Sequence, residues 1–414
     1  MKSYPLSYLI DYARKHSPFY QELYRDLPEE LDFSQLPFVD QGTFWKNPRQ
    51  VLTYAPKDGH VFRSGGTTGK PKLTYYAEEE WQTMCESTAF MMPQSGLQYG
   101  DRVVNLFYSG NMYASFLYSY SLFRLSPVKV QQFDVSGQVA IEVVADLILD
   151  NQINVIAGLP SMIMKVVAYA RKQNYDYSFI TAIYYAGEPL FEDQMAEIRH
   201  FLPNVDFRSI AYASNDGGII GFFDTSCELN EHRVFENVCK LELLDEDTGE
   251  VITEAYRPGK VYITSLYRLL MPIIRYPAGD RAQYTEPEGI HHRKFQLLGR
   301  SEEGVRVGYA TFKMEHFQRA LEKADIQCQN YQFVITHEEH KDRLVIKIAE
   351  ASHQDSERLL QCLTEEVSLL KEVLATKEIH PIEIQWVTLA DLSYHPVTGK
   401  LKRILDQRIK AKSE

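Results

Sequence analysis

The run Arg63-Ser64-Gly65-Gly66-Thr67-Thr68-Gly69-Lys70-Pro71-Lys72 concentrates residues suited to anion chemistry. Glycine lets a backbone come close to a phosphate, and successive N–H groups can form an anion-binding nest. Thr67 and Thr68 add hydroxyl donors, and Lys70 and Lys72 add positive charge. By composition the run is an anion cradle, but it is not the P-loop of nucleotide triphosphatases. The spacing Gly65-x-x-x-Gly69-Lys70 is a residue short, and Pro71 stands where Ser or Thr would hold magnesium. The flanks differ too: His60–Arg63 and Leu73–Tyr76 both read as extended, so the loop joins two strands, whereas a P-loop feeds a helix. A plain glycine-rich hairpin turn competes, although a turn needs only one or two such residues. Elsewhere Cys227, His232 and Cys239 offer ligand types that suit zinc, but without a CxxC pair. The competing reading there is a buried thiol and a turn histidine.

The elements around these residues indicate an α/β protein. From Asp101 to Tyr212 strand-like and helix-like segments alternate, which predicts a parallel sheet covered by helices. Arg102–Phe107, Asn154–Ala157, Ile180–Ala186 and Phe207–Tyr212 read as strands. Ala140, Val143, Val144, Leu147 and Ile148 form one helical stripe, and Pro160–Lys172 carries Ile163, Val166, Val167 and Ala170 on one face. Leu241–Asp245, Lys260–Thr264 and Ile273–Tyr276 read as shorter strands. After Gly299-Arg300 the pattern changes. Phe312–Lys323 reads as a helix, Tyr331–Thr336, Leu344–Ala349 and Ile382–Val387 as strands, and Gln354–Leu374 as one longer helix. The expectation is a large domain over 1–299, with mixed and parallel sheets under helices, and a small mobile α+β domain over 300–414.

Composition narrows the class. With 414 residues, 44% hydrophobic and 24% charged, the chain can bury a large core. Its net charge of -12 argues against nonspecific nucleic-acid binding. No run approaches the roughly eighteen apolar residues of a spanning helix, and the opening MKSYPLSYLIDYARKHSPFY reads as an amphipathic helix rather than a signal peptide. The five cysteines, Cys85, Cys227, Cys239, Cys328 and Cys362, are odd in number and fit a reducing compartment. A cytoplasmic protein that is not membrane-bound is expected. Nothing in the sequence sets its oligomeric state.

The segment Ser64–Lys72 resembles the glycine-rich loop of the adenylate-forming superfamily, which includes acyl-CoA synthetases, peptide-synthetase adenylation domains and luciferases. Further blocks follow in the same order, and length and flanks are most similar to the phenylacetate–coenzyme A ligase branch. The resemblance runs from about residue 60 to the end. It implies that Ser64, Gly65, Gly66, Thr67, Thr68, Gly69 and Lys72 hold ATP phosphates. Tyr185-Ala186-Gly187-Glu188-Pro189-Leu190 is similar to the Gly-Glu-Pro segment, so Gly187, Glu188 and Pro189 would lie against adenine. Tyr212-Ala213-Ser214-Asn215-Asp216 is similar to Tyr-Gly-x-Ser/Thr-Glu. Tyr212 would pack on adenine, Asn215 would meet the α-phosphate in place of a hydroxyl, and Asp216 would hold Mg²⁺ in place of Glu. Arg275-Tyr276-Pro277-Ala278-Gly279-Asp280 resembles the Tyr-Arg-Thr-Gly-Asp motif, so Asp280 would accept from the ribose hydroxyls. Pro277 replaces Arg there, and Arg275 would supply a nearby charge. Leu298–Glu303 is similar to the hinge motif, making Arg300 a ribose or phosphate contact and Glu302 the hinge residue. His395–Arg403 resembles the C-terminal motif whose lysine, here Lys400, enters the site during adenylation.

The implied chemistry joins a carboxylate to the α-phosphorus of ATP, releases pyrophosphate, and passes the acyl group to the thiol of coenzyme A. A carrier-protein phosphopantetheine, or another protein thiol, is the alternative acceptor. A nucleotide-binding relative without catalysis is the third reading, kept open by Asn215 and Asp216. The aromatic stripe of Tyr108, Tyr113, Phe116, Tyr118 and Tyr120 lies where the family borders its acyl pocket. It leans the substrate toward an aromatic or other apolar small acid, although such stripes more often pack a core.

Overall fold

The computed structural model describes residues 2–30, 32–63, 72–246, 248–300, 304–312, 314–394 and 401–409. The chain opens with helices α1 (Leu6–His16), α2 (Pro18–Leu23) and α3 (Gln41–Lys46), followed by a two-stranded antiparallel hairpin of β1 (His60–Arg63) and β2 (Leu73–Tyr76). Arg63 pairs with Leu73, so the two strands expected to flank the glycine-rich run are hydrogen-bonded to each other.

Next comes α4 (Glu78–Met91), then an alternating series: β3 (Arg102–Asn105), α5 (Ser115–Leu125), β4 (Gln131–Asp134), α6 (Ile141–Asp150), β5 (Val155–Gly158), α7 (Pro160–Lys172), β6 (Ala182–Tyr185), α8 (Glu192–Phe201) and β7 (Asp206–Ser209). The five strands form one parallel sheet in the order β4-β3-β5-β6-β7. Strand side chains alternate between faces, and both faces are covered. Val104, Ile156 and Ile183 pack under α6, α7 and α8, while Val103, Val155 and Tyr184 pack under α4 and α5. Pro160 opens α7, and Ile163, Val166, Val167 and Ala170 are its buried face, as the periodicity predicts.

The segment Phe207–Tyr212 is not one strand. It divides at Ile210 into β7 and β8 (Ala211–Ser214), which belong to different sheets. The Ile210 N–H bonds the Tyr185 carbonyl at 2.9 Å, so the backbone stays paired while it changes sheet. β8 is the edge of an eight-stranded sheet with β9 (Gly218–Phe222), β10 (Glu231–Val234), β11 (Cys239–Leu244), β12 (Val251–Ile252), β13 (Gly259–Ser265), β14 (Tyr276–Tyr284) and β15 (Lys294–Arg300). The order is β12-β11-β13-β14-β15-β10-β9-β8. The expected strand Ile273–Tyr276 begins only at Tyr276 and runs to Tyr284, which puts Asp280 in a strand interior.

The remaining elements are a hairpin of β16 (Val305–Val307) and β17 (Ala310–Phe312), helix α9 (Met314–Lys323), strands β18 (Asn330–Glu338) and β19 (Lys341–Ala349), helices α10 (Ser356–Glu366) and α11 (Ser368–Ala375), and strands β20 (Glu383–Val387) and β21 (Ile404–Asp406). The last four strands form a sheet in the order β20-β19-β18-β21, and among the described residues its core is built from Val305 onward. The single helix expected over Gln354–Leu374 is broken at Val367, whose backbone (φ -127°, ψ 88°) leaves the helical region. Val367 is buried, and the break turns α11 onto the same core. Among the described residues no helix is long and apolar enough to cross a membrane.

Candidate active site

In open parallel sheets, ligands bind beyond the carboxyl ends of the strands. Here the ends of β6 and β7, the sheet change at Ile210 and the start of β8 border a cavity of about 220 Å³. Gly187, Glu188, Pro189, Tyr212 and Asp280 all line it. Residues far apart in sequence therefore meet in one place.

Each is held for a local reason. Gly187 has φ +80°, in the left-handed region that glycine tolerates best. Glu188 closes the N-terminus of α7: the Ser161 N–H and hydroxyl both donate to its carboxylate at 3.1 Å. Helix N-termini carry unsatisfied N–H groups and favour an anion. Burial pushes the Glu188 carboxyl up, against the nearby Arg306 guanidinium and the Ser161 bonds. The Glu188 carboxylate thus anchors the segment to α7. The Tyr212 ring is buried, and its hydroxyl donates to Asp280 Oδ2 at 2.6 Å. In the ladder, Asp280 faces Arg300 across β14 and β15.

Asn215 and Asp216 lie on the turn after β8, toward the base of the β1–β2 hairpin. Asn215 Nδ2 donates to the Arg63 carbonyl at 3.0 Å, and Tyr76 donates to the Asn215 carbonyl at 2.9 Å. Thr74 donates to Asp216 Oδ1 at 3.3 Å and Tyr276 to Oδ2 at 2.9 Å. Trp45 Nε1 donates to the Tyr276 hydroxyl at 2.7 Å, and Lys72 Nζ stands 5.1 Å from the centre of the Trp45 ring. The Asp216 carboxylate is oriented from both sides.

Other expected site residues lie outside the described residues: Ser64, Gly65, Gly66, Thr67, Thr68, Gly69, Glu302 and Lys400, as does the side chain of Arg300. Arg275 is not a site residue. It is buried, donates to both oxygens of Glu242 at 2.8 and 3.1 Å, and stacks 3.7 Å from the Phe38 ring. The neighbouring Pro277 therefore gains no substitute charge from it. The aromatic stripe divides. Tyr118 is core, 2.6 Å from the Thr88 hydroxyl, whereas Tyr120 is exposed.

The structure adds residues to the cavity that the sequence reading did not single out for it. Arg306 and Arg408 line the cavity from the C-terminal part. Arg306 Nη2 donates to the Gly187 carbonyl at 2.7 Å. Arg408 is buried between Asp406 and Asp342, at 2.6 and 2.7 Å. His232 also lines the cavity, 2.8 Å from the Ser209 hydroxyl. It does not join Cys227 and Cys239. Cys227 points to Asp224 at 3.6 Å, and Cys239 is fully buried in the eight-stranded sheet's core. Burial pushes these thiols up to about 11 and about 12.

Burial also lowers His232 from 6.5 to about 4, so its imidazole is neutral in the folded protein. The unfolded chain takes up that proton first as pH falls. Stability is therefore fully present above about 6.5 and declines down to about 4, by up to about 3 kcal/mol from this group. Urea unfolding of the wild type and His232→Gln across this range checks it. The variant should lose that part of the slope, and an identical slope would refute the assignment.

No family model matches the chain. A phenylacetate–coenzyme A ligase of Aromatoleum evansii is 23% identical over 98% of this chain and 93% of its own length. Another, from Thermus thermophilus, is 25% identical over 97% and 95%. Among solved structures, 2-hydroxyisobutyryl-CoA ligase, in complex with its acyl-AMP and CoA, superposes with a TM-score of 0.72. That match is 16% identical and covers 97% of this chain and 88% of the ligase. The chain has the adenylate-forming fold. Within that fold, the cavity brings together Gly187–Pro189, Tyr212 and Asp280.

Proposed function

We propose that this protein is an AMP-forming ligase that activates a small carboxylic acid with ATP and transfers the acyl group to coenzyme A. The observation that carries the reading is the convergence of Gly187–Pro189, Tyr212 and Asp280 on one cavity, with Asp216 two residues beyond Ser214 of its lining. Similarity to phenylacetate–coenzyme A ligases over nearly the whole chain supports an aromatic acid and coenzyme A as acceptor. Residues 1–299 form the body and 300–414 the lid in this reading, with the hinge at Glu302.

The residues have distinct tasks. Tyr212 offers a buried ring face to adenine while its hydroxyl fixes Asp280. A carboxylate suits a vicinal diol, so Asp280 receives the ribose hydroxyls. The backbone of Gly187–Pro189, anchored through Glu188, supplies the other wall. Arg306, bonded to that backbone, ties the lid to the nucleotide's edge. Ser64, Gly65, Gly66, Thr67, Thr68, Gly69 and Lys72 hold the phosphates, Asn215 and Arg300 contribute polar contacts there, and Lys400 enters for adenylation. Each Asp216 oxygen accepts one hydrogen bond and keeps a second lone pair, which fits one ligand of Mg²⁺, an ion that takes one or two carboxylates plus phosphate oxygens. When bound, Mg²⁺ would offset the negative charge of the phosphates. The reaction forms a bond from the carboxylate oxygen to the α-phosphorus as pyrophosphate leaves. The thiol sulfur then bonds the acyl carbon as AMP leaves.

Two measurements test this. Pyrophosphate release with ATP, Mg²⁺ and a panel of aryl, fatty and amino acids should depend on acid, with phenylacetate-like acids fastest. A mass spectrum should then find an acyl-CoA. Silence across the panel with ATP binding intact would favour a non-catalytic relative, and an acylated carrier with no acyl-CoA would move the acceptor to a protein. Asp280→Ala should raise the KM for ATP about tenfold or more and lose discrimination between ATP and 2′-deoxy-ATP. Unchanged discrimination would remove Asp280 from the ribose.

A further inference from the structure

Beyond the ends of β10 and β15, a separate group of ligand-type side chains meets. The two strands pair as Glu231↔Gln296, His232↔Phe295 and Arg233↔Lys294, and the Val234 N–H bonds the Arg293 carbonyl at 3.0 Å. This ladder fixes where the chain leaves each strand. Glu236 lies just after β10, and His291 and His292 lie just before β15. One ligand atom from each falls within 4.8 Å of the others.

The local geometry favours a cation. His292 Nδ1 is 2.9 Å from the Val234 carbonyl. A carbonyl only accepts, so Nδ1 carries a proton, which leaves Nε2 as the nitrogen that can face an ion. Metal-bound histidines are prepared in the same way, the second nitrogen donating to a carbonyl or carboxylate. Phe222 and Phe235 meet this ring edge-on, at 5.3 and 6.3 Å, and fix its plane. His292 has φ +53°, uncommon for a residue other than glycine. Side chains of successive residues in an extended strand point to opposite faces, but here the two imidazoles lie together, 3.9 Å apart between centroids. His291 Nδ1 also touches Glu236 Oε2 at 2.5 Å.

We propose that Glu236, His291 and His292 bind a borderline divalent cation of the zinc class. Two imidazole nitrogens with one carboxylate oxygen suit such an ion, whereas calcium and magnesium favour all-oxygen sets. Tetrahedral binding draws ligand atoms to about 3.4 Å apart, closer than the present 4.8 Å limit. His291, 72% exposed, can make that adjustment by rotating its side chain. Three protein ligands leave a fourth position for water. The ion would clip together the ends of β10 and β15, the strands that bring His232 and Leu297 to the nucleotide cavity. This site is distinct from Asp216, and only the activity control below rests on the adenylation reading.

The test is calorimetric titration of the chelator-stripped full chain with ZnCl₂, without nucleotide, together with elemental analysis of bound zinc. About one equivalent should bind, and Glu236→Gln or His291→Ala should each weaken binding about tenfold or more. Pyrophosphate release in zinc-free buffer with Mg²⁺ should remain at the wild-type level in both variants, which also reports that they fold. Substoichiometric zinc at saturation would overturn the proposal. So would undiminished affinity in a His291→Ala/His292→Ala double variant, which would place the ion on other ligands such as the thiols.

Discussion

Lys400→Ala will lower acid-dependent pyrophosphate release by about two to three orders of magnitude while changing the KM for ATP little. Carboxylate and triphosphate are both anions, and negative charge grows on the phosphoryl oxygens as the oxygen–phosphorus bond forms. A preorganised cation at that point acts on the transition state more than on bound ATP. Removing one such donor costs of order 3–4 kcal/mol, enough for the predicted loss. Loss of kcat with KM retained is the pattern for a group that acts in the transition state. The thiol step breaks a different bond, at the acyl carbon, so Lys400→Ala supplied with preformed acyl-adenylate should still make acyl-CoA. Lys400→Arg tests shape, because a guanidinium keeps the charge but not the compact ammonium. The residue lies outside the described residues, and its role rests on the Gly399-Lys400 motif and its order after the other blocks. Wild-type pyrophosphate release by Lys400→Ala would remove it from the reaction.

What was legible in the sequence was local. The alternation from Asp101 onward predicted a parallel sheet under helices, and the extended flanks of the glycine-rich run predicted the β1–β2 hairpin. Both depend on periodicity or on neighbours within one segment. The errors arose where tertiary context decided. Nothing between Phe207 and Tyr212 is a glycine or a proline, yet the chain changes sheet at Ile210, because the Tyr185 carbonyl receives its N–H and keeps the break satisfied. Val367 is an apolar residue within an apparent helical stripe, and burial in the core of the C-terminal sheet bends the chain there. Arg275 sits in a nucleotide motif but finds Glu242 across the sheet, and a buried guanidinium with a bidentate partner is a core group. The Gly187–Pro189 segment does line the cavity, and what the sequence did not indicate is that the Glu188 carboxylate holds the start of α7. His232 carried a signal, but its type suggested metal. Its burial beside Ser209 and Tyr212 could be known only once β7, β8 and β10 were placed.

Tyr276→Phe will raise the Mg²⁺ requirement of adenylation, although Tyr276 need not touch substrate. Its hydroxyl receives Trp45 Nε1–H at 2.7 Å and donates to Asp216 Oδ2 at 2.9 Å, linking residues 231 and 60 positions apart in sequence. Burial, and then the Asp216 charge, push the phenol well above its ordinary range, so it remains a donor. A hydrogen bond to a charged acceptor contributes about 1.5–3 kcal/mol, and its loss would also leave the Trp45 N–H without this acceptor. Among the described residues, the Asp216 carboxylate would then keep the longer Thr74 bond, at 3.3 Å, and swing more freely. We expect the Mg²⁺ concentration for half-maximal rate to rise about tenfold, with kcat falling by a similar factor, because a misdirected ligand weakens both binding and alignment. Trp45→Phe, which keeps an aromatic ring beside Lys72 but removes the N–H, should give a smaller change in the same direction. Asp216→Ala should nearly abolish the reaction. In the Asp216→Asn background Tyr276→Phe should add little further Mg²⁺ effect, since residues acting through one group are not additive. If Tyr276→Phe lowered only the unfolding temperature and left the Mg²⁺ requirement unchanged, the hydroxyl would be a packing group. The path from Trp45 to Asp216 would then carry no part of the chemistry.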